Sequence, residues 1–174
     1  MLTLNLARIR TASERFDEVY APETCSAEGD SFDVTAPLSL GFDVFKDGHR
    51  FRLVGRVETG LKLSCSRCLE SFPSPVAAAF DLVYLPRGQN VGEGERELAD
   101  DDFSTAFYDD ETIDLVQLVR EQLYLALPMK PLCGDDCQGL CPECGTNLNR
   151  GSCGCKRDWD DPRLAALRAL TGKP

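Results

Sequence analysis

The chemistry-bearing residues of this chain are its nine cysteines, at positions 25, 65, 68, 133, 137, 141, 144, 153 and 155. Six of them fall within "CGDDCQGLCPECGTNLNRGSCGC", Cys133 to Cys155. Cys141-Pro-Glu-Cys144-Gly reads as a knuckle: two intervening residues let a tight turn aim both sulfurs at one tetrahedral ion, and the following glycine admits the backbone such a turn needs. Cys153-Gly-Cys155 supplies a second pair, with Gly154 giving freedom to its short spacing. The remaining pairs are Cys65-x2-Cys68 and Cys133-x3-Cys137. In a reducing compartment such clusters read as metal ligands before disulfides. Zinc, as one or two structural ions, is the expected cofactor, with an iron–sulfur cluster as the alternative. The simplest partition places Cys65, Cys68, Cys133 and Cys137 in one site and Cys141, Cys144, Cys153 and Cys155 in a second. Crossed partitions and a single site stay open. Cys25 stands alone and reads as a free surface or half-buried thiol.

Four thiolates would saturate each ion, whereas a catalytic zinc keeps an open position. The one histidine, His49, falls at a hairpin turn. No nucleophile triad, phosphate loop or nucleotide fingerprint occurs, and the CxxC pairs do not open a thioredoxin-like helix. The reading is a non-enzyme with structural metals and no nucleotide cofactor.

The elements that would position these cysteines come mostly from alternation. "LTLNLARI" alternates at period two. In "LSLGFDVFKDGHRFRLVGRV", residues 38–57, Asp47-Gly48 reads as a two-residue turn. That turn pairs Val44 with Phe51, Phe42 with Leu53, Leu40 with Gly55 and Leu38 with Val57 on the core face. Phe45, Asp43 and Ser39 then face Arg50, Arg52 and Arg56 on the other side. "GLKLSC" and "PVAAAFDLVYL" read as further strands. "DLVQLVREQLYLALP" reads as a helix over 114–127, apolar around most of its surface, with Asp114 and Gln117 at a capping-box-like start and Pro128 as its stop. Asp161-Pro162 opens a short final helix striped with Leu164, Leu167 and Leu170.

The expected fold is therefore α+β: a mostly antiparallel β region packed on one long helix, with a four-cysteine zinc-knuckle tail and a short final helix. Residues 1–128 form the β-rich core with an acidic loop at 86–111. Residues 129–174 form the tail, closing onto the core as one domain.

The net charge is -10, and residues 93–114 hold ten acidic residues against one arginine. The protein thus reads as balanced, with one acidic segment: a solvated loop, or a docking segment for a basic partner. No secretory signal and no membrane-spanning run is read, so the expected compartment is the cytoplasm.

"CSRCLESF", "IDLVQLVREQLYLALPMKPLC", "CQGLCPECGTNLNRGSCGC" and "DPRLAALRAL" together resemble the YceD-like family of large ribosomal RNA subunit accumulation proteins. The resemblance covers residues 38–170 in order; the C-x-R-C motif alone would be weak. It implies a non-enzymatic role in ribosome biogenesis through accumulation of the large-subunit (23S) ribosomal RNA, without supplying a mechanism. Two mechanisms fit the residues. Direct RNA binding would use Arg50, Arg52 and Arg56 on the hairpin and Arg150, Lys156 and Arg157 near the second knuckle. Capture of a basic large-subunit ribosomal protein would use the acidic loop. The alternative outside the family role is a zinc-stabilised protein-binding adaptor unrelated to ribosomes.

Overall fold

The computed structural model describes residues 2–26, 29–89 and 104–155. Eight strands run in chain order as β1 (Thr3–Asn5), β2 (Ser13–Tyr20), β3 (Phe32–Val34), β4 (Leu38–Asp47), β5 (Arg50–Ser64), β6 (Ser71–Pro86), β7 (Thr105–Tyr108) and β8 (Thr112–Asp114), followed by helix α1 (Leu115–Ala126). Six strands make one sheet in the order β2-β4-β5-β6-β7, with β3 also pairing β5; β1 and β8 form a separate two-stranded pair. Every pairing is antiparallel except β6 with β7.

Alternation builds the core. Leu38, Leu40, Phe42 and Val44 of β4 and Phe51, Leu53, Val57, Leu61 and Leu63 of β5 are buried, while Arg50, Arg52, Arg56 and Lys62 on intervening positions of β5 are exposed. A period of two puts one set on the covered face and the other in water. Across the strands one lateral row reads Phe16, Phe42, Gly55, Phe80. The rings of Phe16 and Phe42 stack at 5.2 Å between centroids. Those of Phe42 and Phe80 come to 6.4 Å across the glycine between them. Gly55 lets the two rings close over its strand, in the manner of an aromatic covering a strand glycine.

This row explains where the hairpin departs from expectation. The loop is Gly48-His49, with Asp47 opposite Arg50, so Phe42 faces Gly55, Leu40 faces Val57 and Val44 faces Leu53. Each partner lies two residues from the pairing read off Asp47-Gly48. A shift of two preserves the sides, so the same residues are buried. Gly48, at φ +59°, occupies the first loop position, where a two-residue hairpin favours glycine.

The expected α+β architecture, a β region packed on one long helix, is not the one found. Among the described residues the structure is mostly β-sheet with a single short α-helix. At 12 residues α1 spans about 18 Å. The 15- and 16-residue strands β5 and β6 each run to roughly 50 Å. The helix covers only part of the sheet, and it buries one face: Leu115, Leu118, Val119, Gln122 and Leu123 are inside, but Tyr124, Leu125 and Ala126 are exposed. Its N-terminus is as read, with the Asp114 carboxylate accepting from the N–H groups of Val116 and Gln117. The Gln117 side chain does not complete a capping box; it donates to Glu121.

Further differences follow from unread strands. β2, "SERFDEVY", shows no apolar alternation because it is an edge strand with most side chains in water. β3 has only three residues. The acidic loop expected at 86–111 contains β7, whose N-terminal neighbours at 90–103 lie outside the described residues. So does the expected final helix. Cys25, read as a surface or half-buried thiol, is 2% exposed and part of the main core, where burial pushes its thiol above the ordinary value.

Gly55→Ala tests the aromatic row. An added Cβ would lie 2.3 Å from the Gly41 carbonyl oxygen and 2.4 Å from the Phe42 Cβ, both held by the strand ladder. The variant should lose about 2 kcal/mol or more of stability in thermal or denaturant unfolding. Wild-type stability would mean that the row does not fix the register.

Candidate metal centres

Two knuckles with the same backbone pattern present the cysteines. In the first, between β5 and β6, Leu69 N–H donates to the Cys65 carbonyl and Cys65 N–H to the Glu70 carbonyl, both at 2.9 Å. In the second, Gly145 N–H donates to the Cys141 carbonyl and Cys141 N–H to the Thr146 carbonyl, again at 2.9 Å. The residue after the second cysteine of each is left-handed: Leu69 at φ +61° and Gly145 at φ +72°. Glycine takes that conformation freely, whereas leucine pays about 1 kcal/mol or more.

The sulfurs gather as two groups of four. Cys65, Cys68, Cys133 and Cys137 form one, and Cys141, Cys144, Cys153 and Cys155 the other; within each, all sulfurs lie within 4.8 Å of one another. In the first, the Cys65–Cys137 and Cys68–Cys133 sulfur pairs are each 3.7 Å apart. A disulfide would need about 2.05 Å. A tetrahedron of sulfurs around an ion at about 2.3 Å has edges near 3.8 Å, so the spacing fits four-thiolate coordination. Each group could hold a metal ion. Cys65, Cys68 and Cys137 are buried, with Phe72, Leu132 and Leu140 packed around them, while Cys133 is exposed. The second group lies nearer the surface, with Cys141 buried and Cys144 exposed.

The electrostatics within each cluster are uneven. The N–H of Cys68 leads the donors that bring Cys65 down to about 6, and the N–H of Arg67 also reaches its sulfur at 3.4 Å. The Asn149 amide lowers Cys137. Cys133, facing the sulfurs of Cys137 and Cys68, is pushed up to about 12. At Cys68 the Glu70 N–H pulls downward, but burial and the Cys65 sulfur win and its thiol sits high. In the second group the Thr146 hydroxyl brings Cys144 to about 6, and Cys155, beside the Cys144 sulfur, is pushed up to about 12. Thiols this close cannot all ionise alone; a divalent cation would make all four thiolates favourable.

Residues with no role read from the sequence tie the two groups together. The Arg67 guanidinium donates to the carbonyls of Asp135 and Cys137, and the Arg67 carbonyl accepts from Leu140 N–H. Ser66 N–H donates to the Pro131 carbonyl at 2.8 Å. Asn149, in the loop of the second group, donates its side-chain amide to the Cys137 sulfur of the first at 3.3 Å and accepts from Gln138 N–H at 2.7 Å. The available signals were a basic residue between two ligands and an asparagine in a cysteine-rich loop; neither names its partner.

The basic residues read as RNA contacts are dispersed. Arg52 forms a two-point ion pair with Asp81, Arg56 pairs with Glu58, and Arg150 pairs with Glu70. Asp43, a candidate partner for Arg52, instead takes Arg15. Arg50 is exposed at the hairpin end. Lys156 and Arg157 lie outside the described residues.

A family described as "Large ribosomal RNA subunit accumulation protein YceD" matches residues 53–171, a span holding both knuckles and all eight clustered cysteines. The chain belongs to the YceD family. An uncharacterized protein of Mycobacterium tuberculosis (strain ATCC 25618 / H37Rv) is 30% identical over 175 residues, covering 98% of this chain and 82% of that protein. The chloroplastic "Large ribosomal RNA subunit accumulation protein YCED homolog 1" of Arabidopsis thaliana is 27% identical over 155 residues, covering 77% of this chain and 48% of its own. The Zea mays protein of that name is 29% identical over 143 residues, covering 69% of this chain and 49% of its own. No solved structure matches. No helix among the described residues is long and apolar enough to cross a membrane.

Cys137→Ser should remove the ion of the first group, read as a fall in metal per chain by native mass spectrometry. Asn149→Ala should keep both ions but weaken the first site by roughly tenfold in a chelator competition titration, the usual scale for losing an outer-shell hydrogen bond. An unchanged titration would make the Asn149 bond incidental.

Proposed function

We propose that this protein is a non-enzymatic ribosome-biogenesis factor that supports accumulation of the large-subunit ribosomal RNA, and that it acts by holding a basic large-subunit ribosomal protein. The family membership carries the first half of this reading. The second half rests on the outer face of the sheet. Arg52 and Arg56, the residues best placed to meet phosphates, are already committed to carboxylates. RNA would have to compete for both, whereas a basic protein needs only the carboxylates this acidic chain has in excess.

In this reading both cysteine groups hold zinc as saturated structural sites, and the tail closes onto the sheet as one domain. The protein works in the cytoplasm. The work of the metals in this reading is to fix a surface. The acidic segment around residues 93–102 adds long-range attraction for the basic partner.

Depletion of the protein in its host, with large- and small-subunit ribosomal RNA and their precursors quantified, tests the role. A selective fall in the large RNA is expected; an unchanged ratio would return the protein to an adaptor unconnected with ribosomes. Deleting residues 93–102 should impair rescue of the depleted host. Reversing the charges of Arg50, Arg52 and Arg56 should leave rescue intact, and the opposite pattern would assign direct RNA binding.

A further inference from the structure

Leu69 combines two properties that a fold has no reason to combine. Its backbone is left-handed, at φ +61°, and its side chain is 67% exposed. The second knuckle is an internal control: it has the same pair of hydrogen bonds and a left-handed residue at the same place, and there it uses Gly145. A glycine would therefore close the first knuckle equally well. A costly backbone conformation kept where glycine would serve, on a side chain left in water, points to a use outside the fold.

We propose that Leu69 is the apolar anchor of a protein-docking surface at the first metal centre, and that it inserts into an apolar pocket of a basic protein. Leucine has no donor, acceptor or aromatic face, so it can neither read a base edge nor stack on one; it gains only by burial. The charge of the chain selects the partner. Near the knuckle the Arg67 guanidinium donates to the carbonyls of Asp135 and Cys137, and Arg150 pairs with Glu70. Asp135 and Asp136 are exposed on the same segment as the ligands Cys133 and Cys137. On a chain of net charge -10, an exposed apolar tip suits a basic protein rather than RNA.

The proposal takes its choice of partner from the proposed function. The probes are the proteins extracted from the host's purified large ribosomal subunit and, separately, its deproteinised ribosomal RNA. Full-length protein carrying a photo-crosslinking leucine analogue at position 69 should crosslink to one basic ribosomal protein. Leu69→Gly should weaken binding of that protein by about ten- to a hundredfold, the worth of one buried leucine, with metal content and thermal midpoint no lower than wild type. Equal binding by Leu69→Gly overturns the anchor while leaving the ribosomal role in place. Loss of metal or of stability in that variant overturns it too, because Leu69 would then serve the fold. Crosslinks to RNA alone replace the protein partner with a nucleic acid. If wild type binds neither probe and depletion leaves the ribosomal RNA ratio unchanged, the anchor and the ribosomal reading fail together.

Discussion

Gathering the sulfurs of Cys65, Cys68, Cys133 and Cys137 to edges of 3.7 Å is the constraint on which the C-terminal part of this structure rests. The two cysteine pairs are 65 residues apart between Cys68 and Cys133. The length-dependent entropy of closing such a loop is about 4 kcal/mol. Apparent binding free energies of structural zinc in small peptides, about 10–16 kcal/mol, exceed that cost. The comparison matters because the tail has little else to fold on. From residue 129 to 155 only Cys137, Gly139 and Cys141 are buried, with Leu132 and Leu140 packed beside the first group. A segment with so little apolar burial cannot repay its own ordering by the hydrophobic effect. Coordination is the term that can.

The sheet needs no such help, and it supplies the fixed end of the first site. β5 and β6 pair from Phe51 opposite Tyr84 to Ser64 opposite Ser71, so the Cys65–Cys68 knuckle is the turn of a long hairpin. Its position is set by side chains far from it. The row of Phe16, Phe42, Gly55 and Phe80 locks the sheet laterally, and the ladder carries that register to the knuckle. The tail then docks on the knuckle through Arg67, whose side chain and carbonyl both bind tail backbone.

This division also explains what could be read from the residues alone. Hydrophobic alternation identified the buried faces of β4 and β5, and Asp114 and Pro128 bracketed the helix, because these signals are local. The hairpin register came out shifted by two because turn chemistry was weighed without the cross-strand fit of Phe42 to Gly55. The sheet's dominance over the helix was missed because β2 carries few apolar residues, Phe16 and Tyr20 alone marking its inner face, and because β5 read as two strands rather than one. Cysteine spacing paired the ligands into knuckles. The bonds of Arg67 and Asn149 were illegible because each acts on a segment distant in sequence, and no spacing encodes that.

The charge pattern bears on how such a protein recognises anything. Along the outer face of the sheet, Arg15 with Asp17 and Asp43, Arg52 with Asp81, Arg56 with Glu58 and Lys62 with Asp33 offset one another. Exposed pairs of this kind contribute little to stability. Their larger effect is to remove the free positive charge that a phosphate backbone would require. A divalent ion held in either cysteine group would act in the same direction, since four thiolates leave it with no open position and a residual negative charge. Where the two knuckles differ, at Leu69 and Gly145, the same left-handed turn carries an exposed apolar side chain in one and none in the other.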